Sequence, residues 1–248
     1  MKYTLIDTFD KDKIIAGYTT DASGHWRNNE PEDYPQYETL AAEFGLKISD
    51  MARVKQRHTD LVRIVGKEDG GLGIQRDDGT ENIYDGMVTS DKGLIIAIVT
   101  ADCVPVFLHD PLHGVIGLVH SGRDGCAKEI GAKAVVKMQQ EYGSNPADVI
   151  CHLGPYISTS HHEVQEKDLA GFYDNFAPEE CQHIIEAKDN GRYNIDMGAA
   201  ITASLIRAGL MKANIHDNHI CTFENKELYS WRRDHDKDAR ILSFMAIR

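Results

Sequence analysis

Cysteine is scarce in this sequence, and the cysteines that are present are widely spaced. The 248 residues contain five of them, an odd number, and no two form a C-x-x-C pair. They are Cys103, Cys126, Cys151, Cys181 and Cys221. This pattern argues against a disulfide framework and a zinc-finger fold, and it suits a reducing compartment. We expect at most one or two of these thiols to carry function.

Long apolar runs and an excess of positive charge are missing as well. The longest apolar region, residues 93–108, is interrupted by Thr100 and Asp102 and is too short to span a bilayer. The N-terminal segment reaches Asp7 without the apolar stretch that a secretory signal needs. Lys+Arg number 27 against 39 Asp+Glu, a net charge of −12 that repels a phosphate backbone. We therefore expect a cytoplasmic protein that binds neither membranes nor nucleic acid.

Several catalytic motifs are also absent. The sequence has no G-x-G-x-x-G after a strand, no Walker G-x-x-x-x-G-K-(S/T), no H-E-x-x-H and no G-x-S-x-G. Dinucleotide oxidoreductases, P-loop NTPases, zincin proteases and α/β-hydrolases are therefore poor interpretations.

The composition and the order of the predicted elements favour a packed α/β enzyme. Hydrophobic residues make up 42% and charged residues 27%, which is ordinary for a globular protein. No Gly/Ser linker and no repeat divides the chain, so we predict a single domain over residues 1–248. Strands and helices alternate irregularly, which favours a mixed sheet, or two packed sheets with outer helices, over a Rossmann unit.

The individual elements follow from apolar periodicity and from Gly, Pro and capping signals. Predicted strands cover residues 13–19, 61–65, 93–99, 104–108, 115–119, 149–153, 228–233 and 241–247. Predicted helices cover residues 37–44, a segment from Ile130 that Gly143 ends, and a segment from the N-cap Asp196 through Ala208. Residues 21–35 are predicted as a long loop.

Three strand ends carry side chains that could bind a metal. His58 lies in KQRHTD, Cys103 stands at a break in a strongly apolar strand, and His120 ends the next apolar strand. Two imidazoles and one thiolate are three ligands for tetrahedral zinc, and they leave the fourth position open to water or substrate. A buried thiol beside two hydrogen-bonded histidines explains the same residues, and spacing alone does not decide between these interpretations.

Two segments offer sites for an anion. The turn SGRDG at 121–125 precedes a helix expected to begin near Cys126, so its backbone N–H groups could bind a phosphate; a tight connection that needs glycine is the alternative. Residues 229–233 with Arg240 concentrate positive charge beside aromatic rings; a solvated edge strand is the alternative here. The candidate phosphate ligands are Ser121, Gly122, Arg123, Gly125, Arg232 and Arg233.

Five blocks together resemble the laccase-domain family, also called the multicopper polyphenol oxidase or purine nucleoside phosphorylase-type family. They are KQRHTD (55–60), DGMVTSDKGLIIAIVTADCVPVFLHDP (85–111), GVIGLVHSGRDG (114–125), HLGPYISTSHHEV (152–164) and CTFENKELYSWRRDHDKDAR (221–240). The resemblance implies a four-layer α/β/β/α fold with mixed sheets, like that of cysteine hydrolases of the cytotoxic necrotizing factor type. It also implies a metal site, usually zinc, at His58, Cys103 and His120.

Two blocks depart from the family pattern. The usual block is close to HAGWRG, whereas residues 120–125 read HSGRDG, so the tryptophan is absent and the arginine is displaced by one residue. The usual Thr-Arg-x-Gly-Gly turn reads TDASG at 20–24, without the arginine. Both changes remove or move positive charge near the implied substrate.

The function that the resemblance implies is a zinc-dependent purine nucleoside enzyme. Its reactions would be phosphorolysis of adenosine, inosine, guanosine and methylthioadenosine, and deamination of adenosine. Purine nucleosides and phosphate are then its small-molecule partners. His58, Cys103 and His120 would be catalytic together with Asp102, which would move protons.

Two other functions use the same residues. A copper-dependent polyphenol oxidase is one alternative, because His₂Cys is also the equatorial ligand set of a blue-copper centre. The 12 histidines contain no His-x-His pair, which disfavours the second copper cluster of a classical laccase. The other alternative is a cysteine hydrolase or a peptidoglycan-precursor editing enzyme, with Cys103 as nucleophile and His120 or His58 as base.

Overall fold

A computed structural model gives the fold of the chain and describes residues 1–20, 26, 34–77, 79 and 83–248. The strands, numbered along the chain, are β1 (Tyr3–Leu5), β2 (Ile14–Thr19), β3 (Met51–Arg53), β4 (Val62–Ile64), β5 (Gly86–Thr89), β6 (Ile95–Thr100), β7 (Val104–Asp110), β8 (Val115–Ser121), β9 (Ile150–Leu153), β10 (Glu163–Val164), β11 (Ile185–Ala187), β12 (Tyr193–Ile195), β13 (Ile215–Asp217) and β14 (Ile241–Ile247). The helices are α1 (Tyr34–Glu43), α2 (Arg123–Ala127), α3 (Ile130–Tyr142), α4 (Ala170–Asn175), α5 (Pro178–Ile184), α6 (Met197–Arg207) and α7 (Trp231–Asp234).

Most strands of the described residues belong to two mixed sheets. One has the order β1-β2-β14-β6-β3 and the other the order β13-β9-β7-β8-β5-β4, while β10-β12-β11 form a small third sheet. The pairs β3·β6, β4·β5 and β13·β9 are parallel, and the remaining ladders are antiparallel. The predicted mixed α/β architecture is therefore confirmed.

The two large sheets pack face to face because their strands are apolar on both sides. Along β14, Ile241 and Met245 belong to the cluster between the sheets, whereas Leu242 and Phe244 belong to the cluster that also contains residues of α1. Successive strand residues point to opposite faces, so a strand buried on both faces reads as one continuous apolar run.

The second sheet is covered in the same way on its other face. Along β7, Phe107 belongs to the cluster between the sheets, and its neighbours Val106 and Leu108 belong to a cluster built with residues of α3 and α6. The order of layers is thus helix, sheet, sheet, helix. This is the four-layer arrangement that the resemblance implied, and the ends of its central strands carry the candidate site.

The helix boundaries follow the predicted signals. Gly143 ends α3 in the left-handed conformation at φ 73°, and the Asp196 side chain accepts a hydrogen bond of 2.8 Å from the Ala199 backbone N–H at the start of α6. Among the described residues, α3 is the longest helix with 13 residues. No helix in the described part of the chain has the length and apolarity to cross a membrane.

One predicted strand and the predicted start of one helix are wrong. Residues 228–233 are not a strand: Ser230 accepts a hydrogen bond from the Arg233 backbone N–H and begins the short helix α7. The helix expected near Cys126 begins at Arg123. Most of the predicted loop 21–35 lies outside the described residues, and α1 begins at Tyr34.

We predict that Phe107→Ala destabilises the fold much more than Leu112→Ala. Phe107 is fully buried between the sheets, and removing a buried phenyl ring costs about 3 to 5 kcal/mol. Leu112 is 71% exposed, so its loss should change the free energy of unfolding by about 0.5 kcal/mol or less. Urea unfolding followed by circular dichroism measures both values. Similar losses in the two variants would contradict the assigned core.

Candidate metal centre and active-site cavity

The three predicted metal ligands meet in space. One ligand atom each of His58, Cys103 and His120 lies within 4.8 Å of the other two. The Cys103 sulfur is 3.8 Å from His58 Nε2, and the two imidazole rings are edge to face with centroids 4.9 Å apart. In the sequence, Cys103 is 45 positions and His120 is 62 positions from His58. The ends of β6, β7 and β8 bring the three residues to one point.

Gln56 anchors the segment that carries His58. Its side-chain amide donates to the Val99 carbonyl at 2.6 Å and accepts from the Val99 N–H at 2.8 Å, so it pairs with the end of β6 as another strand would. His58 itself has φ 58°, a left-handed conformation that an L side chain seldom adopts without support from its surroundings.

That support comes from the buried carboxylate of Asp85. It accepts hydrogen bonds from the backbone N–H groups of Arg57, His58 and Thr59 and from the Thr59 hydroxyl. It also accepts from Nδ1 of His120 at 2.7 Å. Burial alone would raise the pKa of Asp85, but these bonds and the charge of His120 lower it to about 2. Asp85 is therefore a permanent anion that orients two of the three ligands.

Cys103 and His120 form a thiolate and imidazolium pair when no metal is bound. Burial would raise the pKa of the Cys103 thiol, but the charge of His120 and hydrogen bonds from both histidines lower it to about 6. Burial would lower the pKa of His120, but Cys103 and Asp85 raise it to about 9. The thiol is thus already in its metal-binding form near neutral pH.

Gly122 keeps space open beside the cluster. A Cβ atom at this position would lie 2.7 Å from His58 Cδ2 and 3.0 Å from the Cys103 sulfur, so any other residue would displace two of the three ligands. The donors themselves suit zinc or copper. His120 also donates its Nδ1–H to the carboxylate of Asp85, the arrangement common for metal-bound histidines. On these observations the residues fit a bound metal.

The cluster lies in the wall of an open cavity of about 1350 Å³. Basic residues outnumber acidic ones around it, seven to three within the described residues. The basic residues are Arg53, Lys55, Arg57, Arg76, Arg123, Arg232 and Arg240, and the acidic ones are Asp77, Asp102 and Asp124. Although the chain has a net charge of −12, basic side chains are in excess around this cavity, which favours an anionic ligand.

The predicted phosphate ligands are distributed unevenly around this cavity. Arg123 lines it and pairs with Asp168 at 2.8 Å. Ser121 is buried, with its hydroxyl 3.1 Å from the Cys126 sulfur. Gly122 borders the metal cluster, and Gly125 is buried inside α2. Since α2 has five residues, its N-terminus contributes little to binding an anion.

The two arginines near the C-terminus bind backbone carbonyls. The Arg232 guanidinium, at the cavity wall, donates to the carbonyls of His161 and Glu163 at 2.9 and 3.1 Å. The Arg233 guanidinium donates to four carbonyls of residues 222–228 and pairs with Asp234. Of these two predicted phosphate ligands, Arg232 therefore lines the cavity. The Arg233 side chain instead binds the carbonyls of the loop 222–228.

Asp102 lines the cavity next to Cys103 in sequence, and both of its oxygens have partners. Oδ1 accepts from the Thr222 hydroxyl at 2.6 Å, and Oδ2 accepts from the Arg232 backbone N–H at 2.7 Å. Its φ of 81° is left-handed, so the break in the apolar run before Cys103 is a strained corner held by these two bonds.

Three residues that matter to the site escaped prediction. Asp85 is the first residue of the block 85–111 that resembles the family, but its role is found only through its contacts. Arg57 lines the cavity, and within the described residues its guanidinium makes no ion pair; its position beside His58 was the available signal. His162 also lines the cavity. Its Nδ1 donates to the Ile195 carbonyl at 3.2 Å, so its Nε2 is left as an acceptor.

The fold and the site define a mixed α/β protein with a candidate three-ligand metal centre in a cationic cavity. The family described as multi-copper polyphenol oxidoreductase laccase matches residues 20–248. The chain belongs to this family, as the sequence blocks predicted.

Relatives of known name are moderately similar to this chain. Purine nucleoside phosphorylase YlmD of Bacillus subtilis (strain 168) is 27% identical over 250 residues, 95% of this chain and 89% of that protein. Adenosine deaminase RL5, from an unknown prokaryotic organism, is 29% identical over 197 residues, 79% of this chain and 74% of that protein. The crystal structure of the hypothetical protein YfiH of Bacillus licheniformis has the same fold, with a TM-score of 0.90 at 24% identity over 100% of this chain and 97% of that one.

We predict that Cys103 of the chelator-treated protein reacts with iodoacetamide at a rate that reaches half its plateau near pH 6. The sign follows from the lowered pKa: the thiolate is present above about pH 6 and is protonated below it, whereas an ordinary thiol titrates near pH 8.5. Peptide mass spectrometry assigns the label, with Cys103→Ser as the control. A midpoint near 8.5 would show that His120 does not stabilise the thiolate.

A second prediction concerns the space at Gly122. Gly122→Ala should raise the zinc concentration that half-protects Cys103 from iodoacetamide by about tenfold or more, because the new methyl group displaces His58 and Cys103. Gly131→Ala is the matched control, since its Cβ would lie 3.7 Å from Leu205, an ordinary contact. Equal protection of the two variants would refute this assignment.

Proposed function

We propose that this protein is a zinc-dependent purine nucleoside enzyme and that phosphorolysis is its principal reaction. The observation that carries the proposal is the cluster of His58, Cys103 and His120 in the wall of a cationic cavity. The names of the relatives YlmD and RL5 support the substrate class. The charge of the cavity supports phosphate as the second substrate.

Phosphate is proposed to bind among Arg57, Arg123 and Arg232. All three line the cavity. Within the described residues the Arg57 guanidinium makes no ion pair, and its Nη1 has a long contact of 3.5 Å with the Gln56 carbonyl, so its other N–H donors are available to a phosphate oxygen. Phosphorolysis needs this anion beside the ribose. A phosphate oxygen forms a bond to C1′ while the glycosidic C–N bond breaks, and the purine leaves with a proton on nitrogen.

His162 is proposed to recognise the purine. Burial, with a smaller contribution from the charges of Arg232 and Arg123, lowers the pKa of His162 to about 4 against the opposing hydrogen bond to Ile195. The imidazole is therefore neutral at physiological pH. Its free Nε2 can accept a hydrogen bond from a ring N–H or an exocyclic amino group of the base.

Asp85 and His120 hold the metal side of the cavity rigid. Zinc bound by His58, Cys103 and His120 would supply a Lewis acid and would lower the pKa of its water ligand towards about 7. Asp85 keeps the His120 ring oriented by accepting from Nδ1, which leaves Nε2 as the coordinating nitrogen. The proton that His120 carries in the metal-free protein is released when this nitrogen coordinates.

Asp102 is the proposed proton carrier. Its Oδ1 is paired with the Thr222 hydroxyl, and a hydroxyl can rotate to accept instead of donate. Oδ1 can therefore gain a proton while this contact persists with its direction reversed. Meanwhile the bond from the Arg232 N–H to Oδ2 keeps the carboxyl group in position.

Deamination of adenosine is the second candidate. The observation that favours it is the number of ligands: three protein donors leave one tetrahedral position for water. In this reaction water adds to C6 of adenosine and ammonia leaves, which yields inosine. Deamination uses no anionic substrate that the basic residues of the cavity could bind, so we place this reaction second.

The test is product analysis by mass spectrometry. The protein is loaded with zinc or copper, and inosine, adenosine and methylthioadenosine are supplied with phosphate. We expect free base and ribose 1-phosphate, or its methylthio analogue, from the zinc-loaded protein. Cys103→Ala should lower the rate by at least about a hundredfold because it removes one metal ligand, whereas Cys181→Ala, which removes a thiol in α5, should leave the rate unchanged.

The outcomes separate the proposal from its alternatives. A zinc-loaded wild-type protein that releases neither base nor inosine would refute the nucleoside function. Full activity of Cys103→Ala would refute the assigned site but not the reaction. Activity towards phenols in the copper-loaded protein alone would favour the oxidase.

A further inference from the structure

A second cluster of metal-ligating side chains lies outside the cavity. Single ligand atoms of His161, Cys221 and Glu224 lie within 4.8 Å of one another. None of these residues lines the cavity or belongs to the first cluster. The proposed function uses none of them.

Two adjacent turns bring these residues together. His161 ends the 3-10 turn Thr159–His161. Cys221 forms a bridge with Tyr156, whose backbone N–H and carbonyl bond to residues 220 and 222. The Asn225 N–H then donates to the Cys221 carbonyl at 3.0 Å, which turns Glu224 back towards the sulfur.

The two arginines predicted to bind phosphate hold these turns in place. Arg232 donates to the carbonyl of His161, at the end of the first turn, and to that of Glu163 in β10 directly after it. Arg233 donates to the carbonyls of residues 222, 223 and 225 on the second turn, at 2.8, 2.8 and 3.2 Å. The three ligands are therefore held close together before any ion binds, which reduces the entropic cost of binding.

Each donor is oriented for coordination. The Ser158 N–H donates to the Cys221 sulfur at 3.3 Å, a bond that stabilises a thiolate ligand. The His161 ring stacks on Phe223 with centroids 4.2 Å apart, and its Nε2 faces a Glu224 carboxylate oxygen at 2.9 Å. An ion pair explains the histidine and the glutamate. It does not explain why a buried sulfur lies at the same point.

We propose that His161, Cys221 and Glu224 form a second site for a zinc-like divalent cation, which links the two turns. Tetrahedral zinc has ligand bonds of about 2.0 to 2.3 Å and therefore ligand separations of about 3.3 to 3.8 Å. Binding requires the His161–Glu224 contact to open by about half an ångström. Glu224 has the freedom for this, because its side chain is 63% exposed. The fourth position is filled by water.

The experiment counts zinc in variants that lack the first site. The chains are stripped with chelator, reloaded with zinc, desalted and analysed by mass spectrometry of the metal. We expect about two zinc ions per wild-type chain and about one in Cys103→Ala. The double variant Cys103→Ala, Glu224→Gln should lose this remaining ion. The matched control Cys103→Ala, Glu227→Gln changes another exposed acid of the same loop and should keep it.

A second measurement identifies the ligand sulfur. Cobalt added to the Cys103→Ala chain should give a near-ultraviolet thiolate-to-cobalt band that disappears in Cys103→Ala, Cys221→Ser. Circular dichroism confirms that each variant is folded. A Cys103→Ala chain that retains no zinc, or equal zinc in the Glu224→Gln and Glu227→Gln variants, would overturn the proposal.

Discussion

The candidate site depends on one buried carboxylate. An anion withdrawn from water is tolerated only where hydrogen bonds and charges compensate it, and Asp85 is compensated by two of the candidate metal ligands and by the residues that flank His58. Backbone groups of Arg57, His58 and Thr59 hold it from one side and His120 from the other. The requirement to satisfy one negative charge thus positions two ligands from separate segments, and it fixes the left-handed conformation of His58.

The distribution of charge gives this arrangement its chemical character. The chain is acidic overall, yet basic side chains surround the cavity. Within it, His120 and Cys103 form a charged pair that a bound metal would convert into two ligands. His162 stays neutral because burial and neighbouring arginines oppose its protonation. The cavity therefore combines the three candidate metal ligands, a set of basic side chains and a neutral hydrogen-bond acceptor. The proposed substrates, a purine nucleoside and phosphate, would use all three.

Patterning predicted the fold well where burial determines structure. The apolar runs that became β6, β7, β8 and β14 are buried on both faces, and such strands are recognised by composition alone. The prediction failed at residues 228–233, where an apolar and aromatic start resembles a strand. There, the guanidinium of Arg233 donates to backbone carbonyls of the preceding loop, residues 222–228, and Ser230 caps a short helix. Side-chain contacts of this kind leave no periodic signal.

The sequence by itself predicted the family, the layered α/β architecture and three candidate metal ligands, because these depend on apolar runs and on blocks such as TADCVP and KQRH that resemble the family. Tertiary structure alone decided what the polar residues do. It assigned Asp85 to the centre of the site, removed Ser121 and Arg233 from the cavity, and joined His161 to a second cluster. The physical reason is that a hydrogen bond or an ion pair depends on distance in space, which sequence separation does not specify.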